Sequence, residues 1–407
     1  MIPPAGVRRY AVVFVLFVLS MITYIDRVCI STAKEPISAE MSLSDSAMGM
    51  VFSAFALGYA LAQIPSGWFA DKAGPRIALT IVVGAWSVLT ALTGAAWNLI
   101  SLIAIRFLFG IGEAGAFPCS ARAIVNWLPP GERGRANGVL FSGARLGGAL
   151  AFPLLAWMLA RWPWRESFLI LGCAGIAWAL FWLLWFRDYP EGRKSADEAA
   201  SLATVSLGSL VHSRGMALAM AQYFASNFTS FLSLSWMLPY LKKQYELSAS
   251  TAAAYAMLPL LLGAASQWLS GWLVDAIYHS EWRAWSRRLP AMIGFAFSAA
   301  ALLALTQAKS AEAAIVCFTV AAFGADMTIS PSWVFCADIA GSKAGSISGA
   351  MNMLGNLGSF VSANAFPYLH GLTGSASAYF AVAALMNVSA LFIWYRMKSL
   401  EREVLIS

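Results

Sequence analysis

The sequence predicts an all-α integral membrane protein with twelve transmembrane helices in two pseudo-symmetric six-helix bundles. Three observations carry that expectation. First, 59% of the 407 residues are hydrophobic and only 12% charged, with a mean hydropathy of +0.68. That charged share is about half that of a soluble domain, and so much apolar surface needs lipid. Second, the apolar residues fall in runs of about the 20 residues that one crossing takes. Third, the second half of the chain repeats signals of the first. These figures exclude a disordered chain and argue against a soluble multidomain protein.

Read in order, spans are expected near 10–32, 46–69, 77–96, 98–121, 134–158, 166–186, 216–240, 250–274, 289–308, 311–337, 344–368 and 374–396. The first apolar run ends in Tyr24-Ile25-Asp26-Arg27, which is no small-residue cleavage site, so no cleavable signal is expected. The second span carries Tyr59 and Gln63 at i, i+4. The fourth places Arg106 and Glu113 on one face, two turns apart. The fifth sets Arg145 among Gly143, Gly147 and Gly148, which allow close helix approach and point Arg145 into the bundle. The longest polar stretch, Arg187 to Arg214, contains Pro190 and Gly192 and reads as a linker. It divides the chain into a bundle over 1–187, a cytoplasmic linker over 188–214 and a bundle over 215–407. Asn227, Ser230 and Trp236 lie on the seventh span, Gln267 on the eighth, and Ser348, Asn352 and Asn356 on the eleventh. Such hydroxyls and amides suit a polyhydroxylated ligand, and helix–helix hydrogen bonding is the alternative reading for each.

An even number of spans puts both termini on one side. One set of alternate loops holds 18 of the 27 Lys and Arg, including Arg76, Arg133, Arg135, Arg193, Lys194, Lys398 and Arg402, and the other set holds 6. Basic residues favour the cytoplasmic side, so both termini are expected there. The net charge of +7 then reflects topology, and no nucleic-acid partner is expected. The five cysteines form no CxxC pair and lie in or beside apolar stretches, so neither a disulfide framework nor a zinc site is expected.

The repeat is specific. Gln63-Ile-Pro-Ser66-Gly67-Trp68-Phe-Ala-Asp71 matches Gln267-Trp-Leu-Ser270-Gly271-Trp272-Leu-Val-Asp275 at an offset of 204 residues, half the chain. Glu113 to Pro118 matches Asp326 to Pro331, and Gly138 to Gly147 matches Gly349 to Gly358. Two six-span halves of the same orientation are the layout of transporters built from parallel repeats, whose halves rock about a central site.

Six ionisable residues fall inside spans: Asp26, Arg27, Arg106, Glu113, Arg145 and Asp326, three of each sign. Each is costly in lipid and therefore a functional candidate, with a structural salt bridge as the plain alternative. A buried carboxyl beside an arginine is a candidate proton carrier. Moving that arginine onto a substrate anion favours protonation, so proton and anion binding help each other. His212, His279 and His370 lie near span ends or in loops, so proton coupling is assigned to Asp26 and Glu113.

Gly67-Trp-Phe-Ala-Asp71-Lys72-Ala-Gly74-Pro-Arg76 resembles the signature between spans two and three of the major facilitator superfamily. Arg106-Phe-Leu-Phe-Gly110-Ile-Gly112-Glu113 resembles its fourth-span signature. Within the superfamily, Tyr24-Ile-Asp26-Arg27, Phe55-Ala-Leu-Gly58-Tyr59-Ala and Gly112-Glu113-Ala…Phe117-Pro118 resemble the anion:cation symporter family. That resemblance implies a secondary active transporter of organic anions, sugar acids such as hexonates, hexarates or hexuronates among them, moved with protons. A multi-pass protein of the inner (plasma) membrane is expected, working as a monomer, and no cofactor or metal has support in the sequence. Carried over, Asp26 and Glu113 are protonation sites, Arg27 grips the substrate carboxylate and Arg106 couples to Glu113. Tyr59 lines the site. Asp71 holds a cytoplasmic gate with Arg133 or Arg135, and Arg76 belongs to the same turn. From their own positions in the spans, rather than from the resemblance, Gln63, Arg145, Asn227, Trp236, Gln267, Asn352 and Asn356 are further substrate-binding candidates. Two positions depart from the family. Arg145 stands where a neutral polar residue is expected, and Arg27-Val-Cys29 where Asn or a similar residue is usual. The extra cation favours a dianion or neutralises Asp326 or Glu113. An exchanger or uniporter with structural carboxylates is the alternative. The chain has no HExxH, G-x-S-x-G or P-loop, so no enzyme is expected.

Overall fold

The computed structural model describes residues 5–190, 213–232, 236–247 and 249–397. Residues 191–212 of the expected linker lie outside the described residues, as do Arg193, Lys194, His212, Lys398 and Arg402. Every regular element among the described residues is helical. In order they are α1 (Ala5–Thr32), α2 (Lys34–Met41), α3 (Asp45–Ala73), α4 (Pro75–Thr93), α5 (Leu99–Glu113), α6 (Ala116–Trp127), α7 (Arg133–Leu159) and α8 (Trp164–Trp185). The remainder are α9 (Arg214–Phe231), α10 (Met237–Tyr245), α11 (Ala249–Tyr278), α12 (Arg288–Leu305), α13 (Ala311–Met327), α14 (Ile329–Ala340), α15 (Ala344–Thr373) and α16 (Ser377–Arg396). Nine helical stretches among the described residues are long and apolar enough to cross a membrane by length and composition, and one of them, Ser46–Thr93, is the α3–α4 hairpin.

Among the described residues, sixteen α-helices account for the twelve expected crossings: α2 is a short extra helix, two crossings are broken into α5–α6 and α13–α14, and α9 and α10 flank residues 233–235, which lie outside the described residues. The sequence predicts no helix between the first two spans and draws the fourth and tenth as unbroken, and the structure differs at both points. The breaks at Ala114–Gly115 and at Thr328 have one cause. Pro118 and Pro331 have no N–H to bond back to Ala114 and Met327, so the helix restarts there. The matched acid-to-proline patterns are this break, seen once in each half.

Helix starts follow their caps. Ser44, Ser213 and Ser310 accept hydrogen bonds from the first-turn amides, and Asn98 and Ser101 cap each other reciprocally. Gly74, at φ +80°, ends α3 in a conformation that suits glycine, and Pro75 opens α4 at once. At the other end of the hairpin, Arg165 donates to Glu40 and to the carbonyls of Gly94 and Ala96, tying α2 to the α4–α5 loop. Hydrogen bonds from Arg165 and Trp164 hold the exposed Glu40 carboxyl below the usual carboxylate range.

The described chain packs as two compact units. The first takes α1 to α6, α7 from Gly143, α8, and Gly341–Gly349. The second takes Pro129–Ser142, α9 to α14, α15 from Ala350, and α16. The starts of α7 and α15 therefore each pack with the other half of the sequence.

Candidate functional site

Four of the six charged candidates come together inside the first unit. The approach of α3 to α5 makes this possible. A Cβ on Gly58 would lie 2.1 Å from the Phe107 carbonyl oxygen, and one on Gly110 would lie 2.3 Å from that of Phe55. With no side chain at either position the backbones touch, and Phe55 and Tyr59 of α3 lie against Arg106, Phe109 and Glu113 of α5. The burial of both Arg106 and Glu113 agrees with the shared face expected from their spacing.

Arg27 of α1 donates from Nε to Glu113 Oε1. Its guanidinium carbon also lies 4.5 Å from the Tyr59 ring, 5.0 Å from Tyr24 and 5.5 Å from Phe55. Arg27 is thus a cation boxed by three rings, which hold it by their quadrupoles while one hydrogen bond orients it. Arg27 Nη2 and Glu113 Oε2 are buried without hydrogen-bond partners, so each partner keeps an unused valence. No hydrogen bond or ion pair joins Arg106 to Glu113, two turns away on the same helix. The Arg106 guanidinium packs 4.1 Å from Phe109 and 5.1 Å from Phe55, and its Nε has no hydrogen-bond partner. Arg27 reaches Glu113 because α1 brings it in from the side, whereas Arg106 sits two turns away on the same helix. Phe55 lies between the two cations.

Asp26 projects differently from Arg27, as adjacent helical positions must. It is buried, its Oδ2 accepts a hydrogen bond from Trp86 Nε1 of α4 at 3.1 Å, and its Oδ1 has no partner. Cys29 Sγ donates to the Asp26 carbonyl. Trp86, Phe55, Phe109 and Tyr24 were not read as site residues from the sequence. The repeated small-residue and aromatic pattern of α3 could have pointed to Phe55, but nothing local marks Trp86 among 17 tryptophans.

The remaining candidates disperse. Arg145 is buried on α7 in the first unit and Asp326 on α13 in the second. Glycines at 143 and 147 lie against the Phe17 and Met21 carbonyls of α1, at 2.5 and 2.6 Å from an added Cβ, as close approach required. Gln63 is buried in the first unit, where its carbonyl meets Gly349. Asn227 and Asn356 donate to Tyr223 and Asn352 carbonyls one turn back on their own helices. Trp236 stacks on Phe366 at 5.0 Å. Gln267 is buried with neither amide atom hydrogen-bonded. Among the described residues no group of three or more His, Cys, Asp or Glu could hold a metal ion.

The repeated Q-x-x-S-G-W-x-x-D segments do the same thing twice. Asp71 accepts hydrogen bonds from the Gly345 and Ser346 amides, both at 2.8 Å, and from the Ser346 hydroxyl at 2.6 Å. Asp275 accepts from the Gly134 and Arg135 amides, both at 2.8 Å. In each case the carboxylate meets the second and third residues of a helix, where free N–H groups and the positive dipole end favour an anion. Gly67 sits against Gly345 and Gly271 against Gly134, at 2.2 and 2.5 Å from an added Cβ to the facing carbonyl. The basic partners differ from those expected. Asp71 has Arg122 at 4.0 Å, Arg133 meets Asp338 at 3.6 Å, and Arg135 meets Asp275 at 3.9 Å. Arg133 and Arg135 lie in the first turn of α7, which packs in the second unit, so their carboxylates come from there. Arg76 is used locally: its amide donates to Asp188 and its Nε to the Leu183 carbonyl. Asp275 and Asp338 are not among the sequence-derived candidates, although the repeat matches Asp275 to Asp71.

Comparison with known proteins agrees with this architecture. The Major Facilitator Superfamily profile matches residues 16–363. A probable sulfoacetate transporter of Cupriavidus necator is 35% identical over 94% of this chain and 92% of its own. A D-galactonate transporter of Escherichia coli is 31% identical over 95% of both chains. Of solved structures, the fucose:proton symporter of Escherichia coli superposes with a TM-score of 0.75 at 13% identity, covering 97% of this chain and 100% of that one. At that identity the likeness concerns the fold alone.

Proposed function

The chain belongs to the major facilitator superfamily, among its organic-anion transporters, and from that premise we propose that it imports an organic anion together with protons by alternating access. The observation that carries the reading is the buried cluster of Asp26, Arg27, Arg106 and Glu113. It is neutral with both acids ionised and carries two positive charges with both protonated. Arg27 has one acid hydrogen-bonded and one N–H group unused. A carboxylate that takes Arg27 releases Glu113, which then favours its proton, so the two ligands load together. Asp26 and Glu113 carry the protons, Arg27 binds the anion, and Arg106 supplies the second positive charge. Tyr59, Gln63 and Arg145 join them. Asn227, Trp236, Gln267, Asn352 and Asn356 contact the neutral part of the substrate. Asp71 governs the cytoplasmic gate, with Arg76 in the same turn and with Arg133 and Arg135, which meet Asp338 and Asp275, serving the matching turn of the second half. Both termini face the cytoplasm, the bundles are 1–187 and 215–407, and the protein works as a monomer in the inner membrane.

The relatives named for galactonate, hexuronate and galactarate or glucarate transport support a sugar acid as substrate. A second reading, a small dianion such as sulfoacetate, is favoured by the 35% identity to the relative named for it and by the two buried guanidinium groups. Thermal stability across a panel of galactonate, gluconate, glucuronate, glucarate, sulfoacetate and simple mono- and dicarboxylates, at acidic and neutral pH, separates the two. A ligand that binds only the folded state raises its apparent stability. A response to one sugar acid, larger at low pH, supports the first reading. A response confined to sulfoacetate and the simple dicarboxylates, with none to the sugar acids, supports the second, and no response to any anion contradicts both.

A further inference from the structure

We propose that Trp86 is the positioning residue for the proton step, its indole N–H favouring the ionised form of Asp26 and so setting the pH at which the carrier loads. The inference rests on the symport reading and deepens it. Trp86 lies fully buried on α4 and donates to Asp26 Oδ2 at 3.1 Å. It is held there by the α4–α5 contact, where a Cβ on Gly112 would lie 3.2 Å from the Trp86 amide. An indole N–H can only donate. It therefore bonds a carboxylate more strongly than a carboxylic acid, because hydrogen bonds to a charged group are the stronger kind. Oδ1 has no hydrogen-bond partner, leaving Trp86 as the hydrogen-bond donor to this carboxyl group. The charged groups that act on the Asp26 carboxyl are Glu113 and Arg106 of α5, and the Cys29 thiol of α1 donates to the Asp26 backbone carbonyl instead. Glu113 is held by Arg27, and the Arg106 guanidinium lies on Phe109. Both charges therefore act through space, and the Trp86 contact alone is directional.

The test needs no knowledge of the substrate. Infrared difference spectra of the native protein in lipid, recorded across a pH titration, contain a protonated-carboxyl band that Asp26→Asn removes. Trp86→Phe keeps an aromatic ring and removes the indole N–H. Its Asp26 band is expected to titrate about half to one pH unit higher than in the native protein, and to shift in frequency as its hydrogen bond is lost. Trp86→Met repeats the measurement if the Phe variant elutes as aggregate. A band with the same midpoint and frequency in the native protein and the variants overturns the role of Trp86. Absence of any titrating band sensitive to Asp26→Asn overturns Asp26 as a proton carrier, the part of the symport reading on which this proposal rests, so the two failures are distinct.

Discussion

Arg27 is the residue on which the proposed chemistry turns, because it touches Glu113 and three aromatic rings at once. Its replacement by Ala is expected to weaken anion binding roughly ten- to hundredfold, the worth of one charge-assisted hydrogen bond in a dry site. Titration of the purified protein with its stabilising anion checks this, and an affinity within a factor of two of native removes Arg27 from the binding role. Arg27→Lys is expected to recover little, since an ammonium neither orients like a guanidinium nor stacks on Tyr59 in the same way. The identities of these charged residues were legible in the sequence, for a charge in an apolar run announces itself. Their partners were not. Arg106 and Glu113 share a helix face, yet Glu113 is bonded from α1, 86 positions away. Trp86 reaches Asp26 across 60 positions, and no local pattern encodes such a meeting.

At the scale of helices, close backbone contact places the side chains. Gly58→Val would drive its Cβ branch into the Phe107 carbonyl. Overpacking of this kind costs on the order of 1–3 kcal/mol, so the variant is expected to melt several degrees lower. It should also lose anion binding, because α3 carries Tyr59 and Phe55. A native melting temperature would show that α3 and α5 do not need this contact. The two carboxylates at the starts of α7 and α15 give a second expectation. Asp71→Ala leaves the Gly345 and Ser346 amides without their acceptor, at a cost of about 1–3 kcal/mol. Asp71→Ala combined with Ser346→Ala is expected to cost less than the sum of the single changes, because both remove one network. Additive losses would mean that the hydroxyl and the carboxylate act separately. The helices themselves were readable from apolar length. Their breaks were less so, since a proline in an apolar run is compatible with either a kink or a restart, and packing decides.

For the whole molecule, the repeat in the sequence foretold a repeat in the structure down to the helix-end carboxylates Asp71 and Asp275. It could not foretell that the first turns of α7 and α15 pack with the opposite sequence halves, because that depends on contacts rather than periodicity. Orientation is open to test by labelling. In a chain with its native cysteines replaced, Lys72→Cys is expected to react only from the cytoplasmic side and Arg161→Cys only from outside. Reversal of either pattern would overturn the placement of the termini drawn from the Lys and Arg distribution. The central claim is coupling, and proton flux reports it most directly. Proteoliposomes loaded with a pH indicator should acidify inside when the stabilising anion is added outside with no imposed gradient. The Asp26→Asn and Glu113→Gln proteins should show no acidification while still binding the anion. Anion entry with no internal acidification in the native protein would contradict symport and leave a uniporter or exchanger in its place.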